Sequence, residues 1–471
     1  MAHAAIDALS DNVFLEIFYF YVDKAQHHYN ERGRHPEDAW HTLVHVCKRW
    51  RCIVFESPHR LNLRLLCTPK RPVKKMLDVW PDLPIVIREY SGISRPRDAG
   101  NLIASLKQHK RVFQVFIENL PNSSLKKLAA IKKPFPTLTF LQLWSYEENA
   151  PVFPGSFLGG SAPRLQSLLL DGIPFPALGK LLSSTSDLVS LHLFNIPHSG
   201  YISPESIVTS LSSLTRLKSL LLQFRSPQTQ VDRENRPPPL LTRIVLHALT
   251  SLKFKGDSEY LEDIVSRVDT PLLDNVIMSF FNQLDFDAPL LQYFIDRTET
   301  FKSPHRSDVV FHSSRVEVRL FETKETVDHK VLELGISCKQ SDWQLSSLAQ
   351  ICTSSFPPFP TLEYLCIYDG PSAQSQWEDD MESAQWLELL YPFTSVRDLE
   401  LSEDLYQLVV PALGELTRET AAEVLPALQN IFVEGPQSSK RVKDAIDRFI
   451  TARELSGCPV VVHHRTRGSW R

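Results

Sequence analysis

Residues that could carry out chemistry occur at four places in this 471-residue chain, and none has the spacing of a known type of catalytic or metal site. The histidine pairs His27-His28 and His463-His464 have no cysteine or carboxylate partners at zinc-site spacing. The glycine-rich stretch 155–161 fits neither the Gly-x-Ser-x-Gly nucleophile turn nor a phosphate-binding loop. The acidic residues 378–380 could hold a cation, but an acidic loop exposed to solvent is the commoner arrangement. We therefore predict no enzymatic activity, metal site or cofactor.

The composition argues against several other classes of protein. A net charge of −4 gives no general footprint for nucleic-acid binding, and no run of 18 uncharged apolar residues could span a membrane. The seven cysteines form no Cys-x-x-Cys pair and lie in apolar surroundings, as expected of reduced core thiols. We expect an intracellular protein, cytoplasmic and/or nuclear, that binds neither nucleic acid nor membrane.

The elements that position any binding residues are defined by a repeated phrase, Leu-x-x-Leu-x-Leu, in which other apolar residues replace some leucines. It occurs ten times between residues 112 and 433, at intervals of 23 to 34 residues outside a gap at 279–361. The end of each phrase alternates as a strand does, and helical patterns occupy several of the intervals. One strand and one helix per repeat predict an α/β solenoid. Within the gap, residues 316–320 alternate as a strand, so we expect irregular repeats there.

Two residues of each phrase should point away from the core, on the concave strand face of the solenoid. Exposed aromatic side chains there are plausible contacts for a protein partner. The alternative is that Trp144 and Phe194 lie beneath a loop or complete local packing. The candidate partner-binding residues are Gln142, Trp144, Asp171, His192, Phe194, Gln223, Lys255 and Tyr368.

The amino-terminal head has more apolar helix surface than so short a segment can bury. Residues 12–22 contain nine apolar residues in eleven, and a second apolar face runs from Trp40 to Val54 at three- and four-residue steps. We predict that the first helix begins near Ser10, that residues 23–37 form a loop, and that Ser57-Pro58 ends the helical pattern. The head is then either a docking element or a subdomain buried against the repeats.

The head resembles an F-box, the motif that docks on the Skp adaptor of cullin-RING ubiquitin ligases, with Ser10 where the family usually has proline. The matching residues are Leu9, Ser10, Asp11, Val13, Leu15, Glu16, Ile17 and Phe18, followed by Trp40, Leu43, Val46, Cys47, Arg49, Trp50, Arg51, Ser57 and Pro58. The resemblance implies adaptor contacts from Leu9, Ser10, Val13, Ile17, Phe18, Leu43, Val46, Cys47, Trp50 and Arg51.

The rest of the chain is similar to the leucine-rich tail of fungal F-box proteins. Leucine-rich repeats usually place Asn three residues after the last leucine of the phrase, where this chain has Ile173 and Ile196. The resemblance implies an F-box docking domain at 1–68, a linker or first solenoid cap at 69–111, and a leucine-rich-repeat-like solenoid at 112–471.

The expected function is therefore substrate recognition in a Skp–cullin–F-box ubiquitin ligase. Its partners would be a Skp-type adaptor, through it a cullin, and a protein substrate that the sequence does not name. Two alternatives stay open: a leucine-rich scaffold without a role in ubiquitin transfer, and a hydrolase whose site no motif reveals.

Overall fold

A computed structural model describes most of the chain. The described residues are 8–27, 39–70, 76–77, 82–89, 100–227, 243–282, 288–323, 330–338, 341–356, 359–370, 383–434 and 439–465. His28 and the acidic residues 378–380 lie outside them. The chain forms two compact units, residues 1–202 and residues 203–471.

The first unit begins with three helices, α1 (Asp11–His27), α2 (Ala39–Val44) and α3 (Lys48–Glu56). Helix α1 begins where the sequence predicted, and the Val13 N–H donates to the Ser10 hydroxyl at 3.4 Å. It continues to His27, so the prediction of a loop from residue 23 was wrong at its start, where Lys, Ala and Gln favour helix. Helix α3 ends before Ser57, as expected.

The apolar pattern from Trp40 to Val54 belongs to two helices, although its steps fit one. The chain leaves helix α2 after Val44, and the Cys47 Sγ caps helix α3 by accepting from the Trp50 N–H at 3.4 Å. Val46 and Cys47 therefore lie in the turn between the helices, and both are exposed.

Six parallel strands follow in the first unit, paired in chain order. The strands are β1 (Leu65–Cys67), β2 (Ile85–Glu89), β3 (Val112–Ile117), β4 (Phe140–Trp144), β5 (Ser167–Asp171) and β6 (Ser190–Ile196). The helices between them are α4 (Gly100–Leu106), α5 (Asn122–Ala129) and α6 (Leu178–Leu182). The sheet thus begins at Leu65, within the segment assigned to the head, and the described part of 69–111 contributes β2 and α4.

The second unit contains a second run of strands and helices. Its helices are α7 (Pro204–Leu211), α8 (Ser258–Val265), α9 (Pro289–Arg297), α10 (Ser341–Ser355), α11 (Ser383–Leu390), α12 (Glu403–Leu413) and α13 (Lys440–Leu455). Its strands are β7 (Ser219–Phe224), β8 (Ile244–Val245), β9 (Ser251–Gly256), β10 (Val268–Asp269), β11 (Asn275–Phe281), β12 (Arg306–His312), β13 (Arg315–Phe321), β14 (Lys330–Ser337), β15 (Tyr364–Asp369), β16 (Asp398–Leu401), β17 (Asn430–Glu434) and β18 (Val461–Arg465).

The strand order in the main sheet of this unit is β7-β9-β11-β14-β13-β12-β15-β16-β17-β18, and β8 pairs with β10 separately. Strand β13 is antiparallel to both of its neighbours, β12 and β14. We expected irregular strand-and-helix repeats at 279–361. Instead, β12, β13 and β14 form an antiparallel meander inserted into an otherwise parallel sheet, which is why the leucine phrase disappears there.

The leucine phrase builds the same turn in successive repeats. The N–H of its first leucine donates to the carbonyl three residues earlier, at 3.0 Å from Leu165 to Ala162 and at 3.1 Å from Leu188 to Thr185. The side chains of all three leucine positions are buried, as at Leu165, Leu168 and Leu170. All ten phrases end in a strand, which confirms the predicted strands. The apolar residues at the usual Asn position, Ile173 and Ile196, are also buried.

Candidate functional site

Helix α1 presents apolar side chains on two sides. On one side Phe14, Leu15, Phe18 and Val22 are buried in the head. The other side carries an exposed stripe, which consists of Val13 (42% exposed), Ile17 (48%), Phe20 (67%) and Tyr21 (45%). Steps of four, three and one residues place these four side chains on one helix face. The described residues of the head leave this face exposed, and a face of this kind is typical of an interface.

Two residues of helix α3, Trp50 and Arg49, also contact helix α1 and its N-terminal end. The Trp50 ring lies 4.7 Å from the Phe18 ring and 5.7 Å from the Phe14 ring, measured between centroids. The Arg49 guanidinium pairs with Asp11 at 2.7 Å and donates to the Leu9 carbonyl at 2.6 Å. The exposed stripe is therefore not needed to hold helix α1 in place.

The structure separates the predicted adaptor contacts into three groups. Val13, Ile17, Val46 and Cys47 are exposed together with Ser10 and Arg51, whereas Leu9 and Trp50 are half-buried. Phe18 and Leu43 are buried in the interior of the head, and their assignment as adaptor contacts stays a prediction. Arg51 also has a role within the chain, because its Nε donates to the Val44 carbonyl at 2.9 Å.

Sequence reasoning missed Phe20 and Tyr21, which extend the exposed stripe. Their signal was the four-, three- and one-residue spacing from Val13, hidden because nearly every neighbour is also apolar. The expectation of core cysteines was wrong for Cys47 and Cys52, which are exposed. Both lie at or near the turn that divides the second apolar pattern.

In the first unit, the predicted partner-binding residues line up across neighbouring strands. Trp144 lies opposite Asp171, which lies opposite Phe194. All of them, with Gln142 and His192, are half-buried rather than exposed. The Asp171 carboxylate accepts from the Asn195 amide at 2.8 Å, so it already has a partner within the chain. Trp144 and Phe194 nevertheless keep partly accessible rings on this row.

In the second unit, the buried residues of β9 and β11 show which of their side chains point away from the helices. The Phe254 ring stacks 6.0 Å from Tyr260 of helix α8 and lies 6.3 Å from Phe280. Because strand side chains alternate, Lys253, Lys255 and Ser279 point to the opposite side of the sheet. We call this side the open face.

A cavity of about 370 Å³ opens on the open face above strands β7, β9, β11, β14 and β13. It brings together two predicted residues, Gln223 and Lys255, with others that sequence reasoning missed. Its polar and small lining residues are Gln223, Lys253, Lys255, Ser279, Ser314, Arg315, Glu317, Glu333, Gly335 and Ser337. The missed residues of β14 had a readable signal, because Leu332, Leu334 and Ile336 alternate with Glu333, Gly335 and Ser337.

The two sides of this cavity differ in charge. Glu317 is buried beside three basic side chains: it pairs with Arg319, lies 3.3 Å from the Arg315 Nε, and lies 3.2 Å from the His312 Nε2. Glu333 is 3.8 Å from the Arg319 Nε. Across the cavity, Lys255 lies 5.8 Å above the Phe281 ring. The carboxylates on the acidic side, those of Glu317 and Glu333, thus already have basic partners within the protein.

Tyr368, another predicted contact, belongs to a different cluster of the open face. Its hydroxyl lies 3.4 Å from the Asp308 Oδ2, and Asp308 is held by Arg306 at 2.6 Å. Burial, reinforced by the charge of Asp308, raises the pKa of Tyr368 to about 12. Burial also raises the pKa of Asp308 despite the opposing effect of Arg306. Tyr368 therefore keeps its proton and fixes Asp308.

The residues first considered for chemistry have structural neighbours. The His463 ring stacks 4.9 Å from Phe432. In the stretch 155–161, φ is positive at Leu158, Gly159 and Gly160, and a Cβ on Gly159 would come within 2.7 Å of the Pro134 nitrogen. Within the described ranges, no three His, Cys, Asp or Glu side chains are grouped to hold a metal ion. No helix of the described ranges has the length and apolarity to cross a bilayer.

No protein-family description matches the chain, and no curated protein matches it. Among solved structures, the chain is similar to the leucine-rich repeat-containing protein LegL7 from Legionella pneumophila, with 14% sequence identity. That alignment covers 74% of this chain and 92% of the other, with a TM-score of 0.25. Identity and TM-score at this level carry no inference about function.

Proposed function

We propose that this protein is the substrate-recognition subunit of a Skp–cullin–F-box ubiquitin ligase. In this proposal the head docks on a Skp-type adaptor, and the sheet units bind the target protein. The protein performs no bond chemistry of its own. It raises the local concentration of the target at the ligase, which makes ubiquitin transfer effectively intramolecular.

The exposed stripe on helix α1 is the observation that carries the proposal. Val13, Ile17, Phe20 and Tyr21 are each more than 40% exposed although all are large and apolar. The Val46 side chain, 56% exposed in the turn before helix α3, adds apolar surface to the head. Burial of these side chains against a partner would remove apolar surface from water, at about 25 cal/mol per Å². The F-box resemblance supports a Skp-type adaptor as the partner.

The row of Trp144, Asp171 and Phe194 in the first unit and the open face of the second unit support the second half of the proposal. Half-buried aromatic side chains such as Trp144 and Phe194 supply rigid contact area of the kind that dominates protein interfaces. The cavity of the second unit adds charged groups beside an apolar floor. The residues of both regions are distinct from those of the exposed stripe, so target binding and adaptor docking can be tested separately.

Capture of a Skp adaptor by the full chain tests the docking step. We expect the Ile17→Ala/Phe20→Ala double variant to lose most of the captured adaptor, because truncation of a central contact costs about 2 kcal/mol or more. Leu272→Ala is the matched control, since Leu272 is also a large exposed apolar residue, at 60%. Equal capture by the wild type and the double variant would contradict docking through the stripe.

A second candidate function is a scaffold that binds proteins through its open faces without any role in ubiquitin transfer. The observation that favours it is that every residue lining the cavity belongs to the second unit. Recovery of a cullin with the wild type, and a longer target lifetime in the Ile17→Ala/Phe20→Ala variant, would support the ligase. Adaptor capture without cullin, or an unchanged lifetime, would support the scaffold.

A further inference from the structure

We infer that the cavity on the open face of the second unit binds an acidic side chain carried by an extended segment of the target protein. The inference rests on the proposed function for the identity of the occupant as a protein. The cavity itself and its charges are features of residues 203–471 alone. The shared chemistry of the occupant is an oxyanion, supplied by a glutamate or aspartate carboxylate or by a phosphorylated side chain.

The floor of the cavity is kept open by Gly335, in the middle of strand β14. A Cβ at this position would meet the Val316 carbonyl oxygen at 3.4 Å and the Glu317 Cβ at 3.6 Å, which are ordinary contacts. A side chain would therefore fit beside the backbone. Glycine inside a strand lowers stability, and it often marks the close approach of a ligand. The presence of glycine at position 335 is thus better explained by the space that it leaves in the cavity than by tight packing of the backbone.

The strand register shows how that space is bounded. Lys255 pairs with Ser279, Ser279 pairs with Gly335, and Gly335 pairs with Glu317. Two small residues therefore separate the lysine from the glutamate across the sheet. Since neighbouring strands lie about 4.8 Å apart, the opening between Lys255 and Glu317 is wide enough to admit a side chain.

The charges select an anion and place it on the β9 side. Glu317 already pairs with two arginines, Arg315 and Arg319, so it does not need a positive ligand group. Lys253 and Lys255 lie on the same face of β9 and both line the cavity, and the Lys255 ammonium lies over the Phe281 ring. An oxyanion between these two ammonium groups would form charge-assisted hydrogen bonds.

The apolar part of the lining suits the stem of an acidic side chain rather than a bare ion. Leu221 and Ile277, which both pair with Lys253 across the strands, line the cavity beside the two lysines. A glutamate or phosphorylated side chain could pack its methylene groups there while its oxygens reach the lysines. The volume of about 370 Å³ is within the range of ligand-binding pockets.

The test measures binding of peptide pools to the immobilised full chain. Three pools of short random peptides carry a fixed central glutamate, phosphoserine or glutamine. We expect the glutamate pool, the phosphoserine pool or both to be retained about ten-fold more than the glutamine pool, as expected for one or two charge-assisted contacts. Retention of only the phosphoserine pool would identify a phosphorylated target. Equal retention of all three pools, or none, would overturn the inference.

Three variants show whether retention depends on the cavity. Lys253→Ala/Lys255→Ala should abolish the preference by removing charge, and Gly335→Val should abolish it by filling the floor while suiting a strand. Lys443→Ala is the control, because Lys443 is an exposed lysine on helix α13 of the same unit. Retention of the acidic pools by both cavity variants would contradict the inference.

Adaptor capture separates this inference from the proposed function. The cavity variants should still capture a Skp adaptor, because the exposed stripe is unchanged. The Ile17→Ala/Phe20→Ala variant should still retain the acidic peptides. If the wild type captures the adaptor but retains no acidic peptides, only the cavity inference fails. If the wild type retains acidic peptides but captures no adaptor, only the docking proposal fails.

Discussion

Replacement of Glu89 by glutamine tests how one buried carboxylate controls stability. Glu89, at the end of strand β2, is only 4% exposed, and its Oε2 accepts no hydrogen bond within the described residues. Burial, together with the nearby charge of Glu118, raises its pKa from 4.5 to about 7. The folded protein therefore favours the protonated carboxyl.

The sign and size of the effect follow from the two pKa values. Between about pH 4.5 and pH 7 the folded state binds more protons at Glu89 than the unfolded state does, so the free energy of unfolding falls as pH rises. The difference between 4.5 and about 7, at about 1.4 kcal/mol per pH unit, corresponds to about 3 kcal/mol. Above about pH 8, where Glu89 is ionised in both states, its contribution no longer changes.

Urea unfolding of the wild type and the Glu89→Gln variant from pH 4.5 to pH 8 measures this contribution. We expect the variant to gain about 3 kcal/mol relative to the wild type between the two ends of the range. Glu423→Gln, at an exposed position, controls for the loss of one carboxylate. A difference between Glu89→Gln and the wild type that stays constant with pH would refute the reasoning.

Two further predictions concern stability. Arg453 is fully buried, and its guanidinium donates to the carbonyls of several residues. In urea unfolding, Arg453→Lys should lower the free energy of unfolding by more than about 3 kcal/mol, because an ammonium group cannot replace the planar guanidinium. A loss below about 1 kcal/mol would contradict this. Phe18→Ala should lower the free energy of unfolding by about 3–5 kcal/mol and Ile17→Ala by less than about 1 kcal/mol, since only Phe18 is fully buried. Similar losses of stability in the two variants would show that the exposed stripe is covered.

The strands of the leucine phrase could be predicted because each one buries one side and follows the same turn. The spacing of apolar residues therefore stays recognisable even where other apolar residues replace leucine. The antiparallel β13 could not be placed, although residues 316–320 were correctly assigned to a strand. Strand direction depends on pairing with β12 and β14, and local alternation is the same for either direction. The break between α2 and α3 was missed for a similar reason. The apolar residues keep three- and four-residue spacing across the turn at Cys47, so their spacing does not reveal the break.

The candidate sites were predicted only in part. Val13 and Ile17 were identified, but a helix that is apolar on nearly all sides does not reveal which face is covered, so Phe18 was included and Phe20 was missed. Gln223 and Lys255 were identified from the phrase. Their partners across the cavity come from β13 and β14, which are brought next to β11 by the inserted meander. Sequence periodicity carries no information about that contact.

The most direct test of adaptor docking is a calorimetric titration of the full chain with a purified Skp adaptor. Phe20→Asp is the informative variant, since Phe20 is 67% exposed and the charge should leave the fold intact. We predict saturable binding by the wild type and an affinity at least about 30-fold weaker for Phe20→Asp, which corresponds to the loss of one central contact. No heat of binding with the wild type, or an unchanged affinity for Phe20→Asp, would contradict docking through helix α1.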